Sequence, residues 1–412
     1  MTTHLEDELV QTLAGAANHA PEPDGEFVDG VRRRQRSRRH RRVAVLAGCA
    51  AVLMVVSGIA VTKLAPQSSD VAPVGGRGAL PVRDAPWSGT VPDFAKAETP
   101  DKVWPEAVHK LPARLPGGGA YRVYEVLGDD IYLVQQLAKP GAPSVLNART
   151  GDVRFLGDKS QAGPLAPEVA DWATTVIGDN AVWFIHEGSD VFQIWTAPLD
   201  GSGDPRRITT LVDVYWQPSI TLTGSEIYWY LDSTERGLFR LAVPDGDSPE
   251  AVAGGETYAP IDLSPWASTS RNGFTEDLSL EGTLWNLETG ERRPWRAAPD
   301  IDEIRCFPLL CWGWTRPGRE QFLQSLDGSR VVELTFPRGG FDLTPAVDGG
   351  FGVGFIKTQH GDHRYVWDFA TGKAATVKIT GQDEVVGGFQ ESTLQWPASD
   401  TEIYVLDLAA IR

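Results

Sequence analysis

Cys306 and Cys311 bracket Phe-Pro-Leu-Leu, and their spacing suits a hairpin with a four-residue turn. Residues opposed across such a turn sit ~4.5–5.5 Å apart at Cα, within disulfide range. The alternative is a pair of free buried thiols. Four-ligand spacing for a metal is missing. The third cysteine, Cys49, ends the lipobox-like Leu46-Ala-Gly-Cys49, but Ala-Ala-Val-Leu-Met-Val-Val follows it, so it reads as a small apolar residue inside an apolar run. His360-Gly-Asp362-His363 places two imidazoles and a carboxylate close together, the minimum for a weak metal or proton-sensing site. The plainer reading is an exposed polar loop. His186 falls at the comparable place of another repeat. No nucleophile elbow, phosphate loop, zinc-peptidase helix or dinucleotide fingerprint occurs. No cofactor is expected.

The elements that must position these groups are set by six turn glycines: Gly151, Gly201, Gly246, Gly290, Gly328 and Gly372. Their separations are 50, 45, 44, 38 and 44 residues. A fixed period near ~44 is the signature of a four-stranded propeller blade. The third repeat shows the plan. It runs Ser219–Thr223, the turn Gly224-Ser225, Glu226–Leu231, a loop to Gly237, Leu238–Ala242, the Asp245-Gly246 turn, and an outer strand near Glu250–Val252. On the strand before each glycine stands an aromatic residue: Trp195, Phe239, Trp285, Phe322 or Trp367. At that position they fill the gap between blades. The last repeat stops after Glu402–Leu408, without an outer strand. An open ring would expose two sheet edges, so a strand near Val103–Lys110 is expected to close a seventh blade.

Ahead of the repeats, Val43–Thr62 is a run of 20 uncharged residues. At ~1.5 Å per residue it matches a bilayer core. Arg32, Arg33, Arg34, Arg36, Arg38, Arg39, Arg41 and Arg42 precede it and only Lys63 follows, which orients residues 1–42 to the cytoplasm. In that arm Leu5, Leu9 and Leu13 share one helical face, a short helix marginal on its own. Residues 63–102 are rich in Pro, Gly and Ser and read as an extended linker. The net charge is −17; residues 1–63 sum to +2, so the remainder carries −19. That acidity argues against nucleic acid as a partner.

Tyr365-Val-Trp-Asp368, followed by Ala-Thr-Gly372, together with the Asp-Gly turns, resembles the WD-repeat and TolB-like propeller superfamily over about 103–412. The strict Gly-His and Trp-Asp pairs of true WD repeats are mostly absent. The layout is similar to actinobacterial single-pass membrane proteins with an arginine-ended cytoplasmic arm and an exported propeller. Some such proteins accompany extracytoplasmic-function sigma factors, which implies envelope signalling. The zinc-dependent anti-sigma pattern is absent from residues 1–42.

These readings predict an all-β, seven-bladed β-propeller over 103–412. Before it stand a cytoplasmic arm (1–42), one transmembrane helix (43–62) and an extracytoplasmic linker (63–102). The expected function is non-enzymatic: the propeller, anchored in the cell membrane, binds a protein, peptide or glycan outside it. The binding face carries the loops 137–143, 187–191, 232–237, 271–282, 315–319, 357–363 and 397–401. One alternative is a transmembrane sensor that couples this binding to a cytoplasmic partner such as a sigma factor. Another is a propeller lyase or glycosidase, with carboxylates or His lining a central funnel.

Overall fold

Alternating strands joined by tight turns have only one economical way to satisfy their backbone groups, an antiparallel meander, and this chain repeats it around a ring. The computed structural model describes residues 87–411 except 138–140, 158–168, 188–190, 213–219, 232–236, 245, 247, 262–263, 270–279, 316–319, 335–340, 347–349, 359–360 and 380–391. The expected arm 1–42 with its arginines, the apolar run 43–62 and the linker as far as residue 86 lie outside the described residues.

The first strand, β1 (Val108–Pro112), belongs to the last blade. Blade one is β2 (Tyr121–Gly128), β3 (Ile131–Gln136), β4 (Ser144–Asn147) and β5 (Asp152–Phe155). Blade two is β6 (Val169–Ile177), β7 (Asn180–Glu187), β8 (Val191–Pro198) and β9 (Arg206–Val212). Blade three is β10 (Ile220–Thr223), β11 (Glu226–Leu231), β12 (Gly237–Ala242) and β13 (Glu250–Ala251). Blade four is β14 (Ala259–Pro260), β15 (Trp266–Ser268), β16 (Glu281–Asn286) and β17 (Arg292–Arg296). Blade five is β18 (Ile301–Cys306), β19 (Cys311–Thr315), β20 (Gln321–Gln324) and β21 (Val331–Leu334). Blade six is β22 (Phe341–Ala346), β23 (Phe351–Thr358), β24 (Gly361–Asp368) and β25 (Ala374–Ile379). Blade seven joins β26 (Thr393–Pro397), β27 (Glu402–Asp407) and β1.

The turn after the third strand explains three of the glycines. Asn147, Asn286 and Asp368 each accept two backbone N–H bonds at Oδ1, from residues two and three further on, at 2.9–3.4 Å. The glycine four residues on then donates back to the same residue's carbonyl at 2.8–2.9 Å, with φ of +78°, +75° and +73°. Only glycine takes that backbone conformation freely. Gly246 differs: its φ is not left-handed, and its N–H returns to Ala242.

Blade seven is closed by strands from both ends of the repeat region. In blades two and six the residue after the third strand donates to the residue before the second: Leu199 to Asp179 and Phe369 to Gly350. Leu408 donates to Ser392 in the same way, at 2.9 Å. So β26 and β27 are the second and third strands of blade seven, and β1 is its outer strand. The closing strand is therefore where the sequence placed it, shifted toward the carboxyl side: Val108 faces Leu406 and Pro112 faces Glu402.

Blade seven is then locked to blade one through the free edge of β2. Gln395 accepts from the Val123 N–H (2.9 Å) and donates to the Tyr121 carbonyl (3.0 Å). Thr393 Oγ1 donates to the Val123 carbonyl (2.6 Å) and Ser392 Oγ to that of Tyr124 (3.2 Å). Tyr124 sits at a break in the β2–β3 register. From the other side, Tyr121 donates to the Pro112 carbonyl (2.6 Å), and Tyr132 Oη lies 3.2 Å from His109 Nδ1.

Residues 87–102 depart from the linker expectation. Trp87 and Phe94 are buried against Leu310, Trp312, Tyr365, Trp367 and Phe369, in the seam between blades five and six. Burial of Phe94 alone contributes about 1.5–3 kcal/mol. Glu98 bridges Ala375 in parallel at the outer edge of β25. A short helix, Pro100–Val103, follows. Trp104 and Ala107 then enter the seam between blades six and seven. The prolines and glycines of the wider segment 63–102 made it look unstructured, but two aromatic anchors decide the state of this part.

Two outcomes are expected from the closure. Gln395→Leu leaves a buried N–H and a buried carbonyl unpaired, at about 1–3 kcal/mol per group. Urea unfolding of the variant should show that loss; a midpoint equal to wild type would remove the lock from the account. Burial, and then the carboxylates of Asp130, Asp129 and Asp407, push the Tyr132 phenol up to about 12. The neutral phenol is the folded form, so its contribution is full below pH 10 and fades as pH climbs from 10 to 12. Tyr132→Phe should therefore lose less stability across that window, and identical pH profiles would contradict the assignment.

Candidate functional site

The ring has two unlike ends. First-to-second strand turns and third-to-fourth strand turns share one end, and the former are as short as 129–130, 178–179 and 224–225. Second-to-third loops and connections between blades share the other, and they include 156–168 and 269–280. The face expected to bind a ligand is this second end. Most of its loop residues lie outside the described residues. Residue 87 enters the ring at the short-turn end, where the Ser88 N–H donates to the Phe369 carbonyl at 2.9 Å.

The anchors of the long-connection end are described. Gln135 is buried at the end of β3, donates to the Gly141 carbonyl (2.6 Å) and accepts from Tyr124 Oη (2.8 Å). It thereby fixes the exit of loop 137–143. In blade seven, Ala398 N–H and Glu402 carbonyl meet at 2.9 Å and close loop 398–401.

His186 and His363 stand near strand ends rather than in loops. His186 is the penultimate residue of β7, paired with Ala170 and Phe192. Asp362 and His363 are the second and third residues of β24, opposite Lys357 and Ile356. The reason is that the loop of blade six is shorter than expected, because ladder pairs continue out to Thr358 and Gly361. His360 lies outside the described residues. Among the described residues no group of three or more His, Cys, Asp or Glu could hold a metal ion.

Cys306 and Cys311 end β18 and begin β19, face each other in register, and are joined as a disulfide with Cα atoms 4.0 Å apart. Both are buried. The Phe307 N–H donates to the Leu310 carbonyl at 2.8 Å within the enclosed turn. Leu310 is itself buried in the seam with blade six. The bond thus fixes a turn that supports packing, and neither sulfur is free to act as a nucleophile.

The innermost strands are not wholly apolar. Arg122 and Glu125 lie on β2, and Glu303 and Arg305 on β18, the latter two 3.6 Å apart. Arg122 also lies over the Tyr124 ring and Arg305 over that of Trp312. Sequence reading passed over these residues because alternating charge within a strand looks like a solvated face.

The recurring aromatics pack, as their position implied. Phe322 and Trp367 are fully buried. Trp195 stacks on Trp183 and Phe239 on Trp229, with rings 6.4 and 6.3 Å apart. Trp285 lies under Arg292, which also hydrogen-bonds Tyr258.

The fold and its closure define a class, the seven-bladed β-propeller. No protein-family model matches the chain, and no curated protein matches it. Among solved structures it is similar to the WD40 domain of SCAP from fission yeast (9% identity, TM-score 0.36, covering 68% of this chain and 82% of that one). It is also similar to TolB from Acinetobacter baumannii (11%, 0.34, 70% and 78%). A third is an oligogalacturonate lyase from Vibrio parahaemolyticus (11%, 0.43, 73% and 97%). All three likenesses are of fold alone.

The disulfide closes a short loop, so its loss should cost roughly 2 kcal/mol by the chain-entropy relation. Adding dithiothreitol should lower the unfolding midpoint of wild type and leave Cys306→Ala/Cys311→Ala unchanged. Equal responses would mean that the thiols are not joined in the folded protein.

Proposed function

We propose that this protein is a non-enzymatic propeller, anchored in the cell membrane by residues 43–62, that binds a protein, peptide or glycan outside the cell. The observation that carries the reading is the asymmetry of the ring. Long, unequal connections gather at one end of a scaffold locked by side-chain hydrogen bonds, and binding residues are commonly held on loops above such a scaffold. Residue 87 enters at the opposite end, beside the Phe369 carbonyl. The apolar run with eight arginines on one flank supports a cytoplasmic amino terminus. No helix among the described residues is long and apolar enough to cross a membrane, and residues 43–62 are not among them.

A second reading rests on Glu125 and Glu303, carboxylates on inner strands, which keep a lyase or glycosidase in view. The two readings part under one comparison. Full-length protein in which 270–279 is replaced by Gly and Ser should lose capture of an envelope polypeptide or glycan that wild type retains. Glu125→Gln/Glu303→Gln should retain it. The opposite pattern would favour the central site. Protease added to intact cells should digest the propeller, and full protection there would refute the membrane orientation.

A further inference from the structure

We propose that residues 87–98 are a detachable strap. They leave the seam between blades five and six as a unit while the ring stays closed, and the aromatic groove beneath fits the same segment of a second copy of this chain.

The strap is held chiefly by side chains, apart from the ladder of the blades. Its hydrogen bonds to the ring include Ser88 N–H to the Phe369 carbonyl (2.9 Å), and Thr376 N–H and Oγ1 to the carbonyls of Glu98 (2.8 Å) and Ala97 (3.1 Å). Its other holds are side chains. Phe94 lies 4.5 Å from the Tyr365 ring and 5.9 Å from that of Trp367. Trp87 sits under the Arg330 guanidinium, with Cζ 5.2 Å from its ring centre. Val91 packs beside them.

The segment also carries its own structure. The turn Phe94–Lys96 is closed by Lys96 and Ala97 N–H bonds to Asp93 and Phe94, and by the Asp93–Lys96 ion pair. Ring closure is made elsewhere, by the ladder of β1 on β27 and by Gln395 and Thr393 on β2. Trp104 is anchored separately, in the seam between blades six and seven. Release of 87–98 therefore breaks no closing contact. What it uncovers is a slot of Trp312, Tyr365, Trp367 and Phe369 shaped to two aromatic side chains seven residues apart. Recognition joins edge pairing at Ala375 to side-chain pockets, as in peptides that add to a sheet edge.

Gly89 gives a handle on the strap alone. Its φ is +69°, and a Cβ there would fall inside the Arg330 guanidinium. Gly89→Val should lift the Arg330 side chain from Trp87 without altering the contacts that close the ring. Hydrogen exchange on the full-length protein reads the result. In wild type the Ser88 and Thr376 amides should exchange ~10-fold or more faster than those of Tyr365 and Trp367, as a sub-global opening requires. Gly89→Val should quicken the first pair by a further ~10-fold and leave the second unchanged. Equal rates at all four in wild type, or a variant that quickens all four together, would overturn detachment. A fluorescent peptide of residues 84–98 should bind the Gly89→Val protein. The same peptide with both Trp87 and Phe94 changed to Ala should bind at least ~10-fold more weakly, as expected for anchor residues. No binding, or equal binding by both peptides, would overturn the role of the groove.

Discussion

A ring of sheets must join its last blade to its first, and everything else in this fold depends on that joint. Each blade alone is a small meander with two bare edges and two apolar faces, marginal in water. Once the ring closes, every apolar face meets a neighbour and the inner edges face one another. Gln395 carries an unusual share of the join. One side-chain amide both gives to and takes from β2, replacing the strand that a continuous barrel would have supplied. A shorter or apolar residue there would pack but would leave the edge of β2 unanswered. Thr393 and Ser392 extend the same substitution of side chain for strand along the bulge at Tyr124. The β1–β27 ladder does a different job: it ties the start of the repeat region to its end, so that opening the ring must break a hydrogen-bonded pair of strands.

The seams between blades show why the chain carries so many tryptophans. Facing sheets ~10 Å apart leave a layer that small side chains cannot fill. Trp183, Trp229, Trp266 and Trp367 are fully buried in that layer. Their breadth lets each touch two blades, so a tryptophan here acts as a spacer as much as a core residue. Seam five–six lacks enough side chain of its own at its outer margin. Trp87 and Phe94 supply it from outside the repeat, which is why the folded unit begins well before residue 103.

The parts of the fold that were legible in the sequence are those written in local chemistry. Thr-Gly after an Asn or Asp is a turn instruction readable from five residues, as 147–151, 286–290 and 368–372 demonstrate. The third repeat could be parsed strand by strand because its turns are glycine-marked and its strands unbroken. Cys306 and Cys311 were legible because a hairpin brings sequence neighbours face to face. What could not be read depends on contacts between distant residues. Nothing local distinguishes Gln395 from a solvated glutamine. Nothing in Pro86-Trp-Ser-Gly-Thr-Val-Pro92 says that a groove awaits its tryptophan. His363 was placed in a loop because the length of the blade-six hairpin is set by ladder pairing rather than by polarity.

The two ends of the ring also divide labour in sequence terms. Turns of the short end are stereotyped: an Asx side chain, a hydroxyl and a left-handed glycine leave few acceptable residues. Connections of the other end obey no such rule, since their only duty to the fold is to span from one strand to the next. Loop-closure entropy rises only by about 0.6 kcal/mol for each doubling of length, so connections as unequal as 297–300 and 156–168 cost the ring little. Tolerance of that kind is what a recognition surface needs. It lets composition and length follow a ligand while Gln135, Gln395 and the seam tryptophans hold the strand ends in place. Under the proposed binding function, specificity would reside where the fold constrains the sequence least.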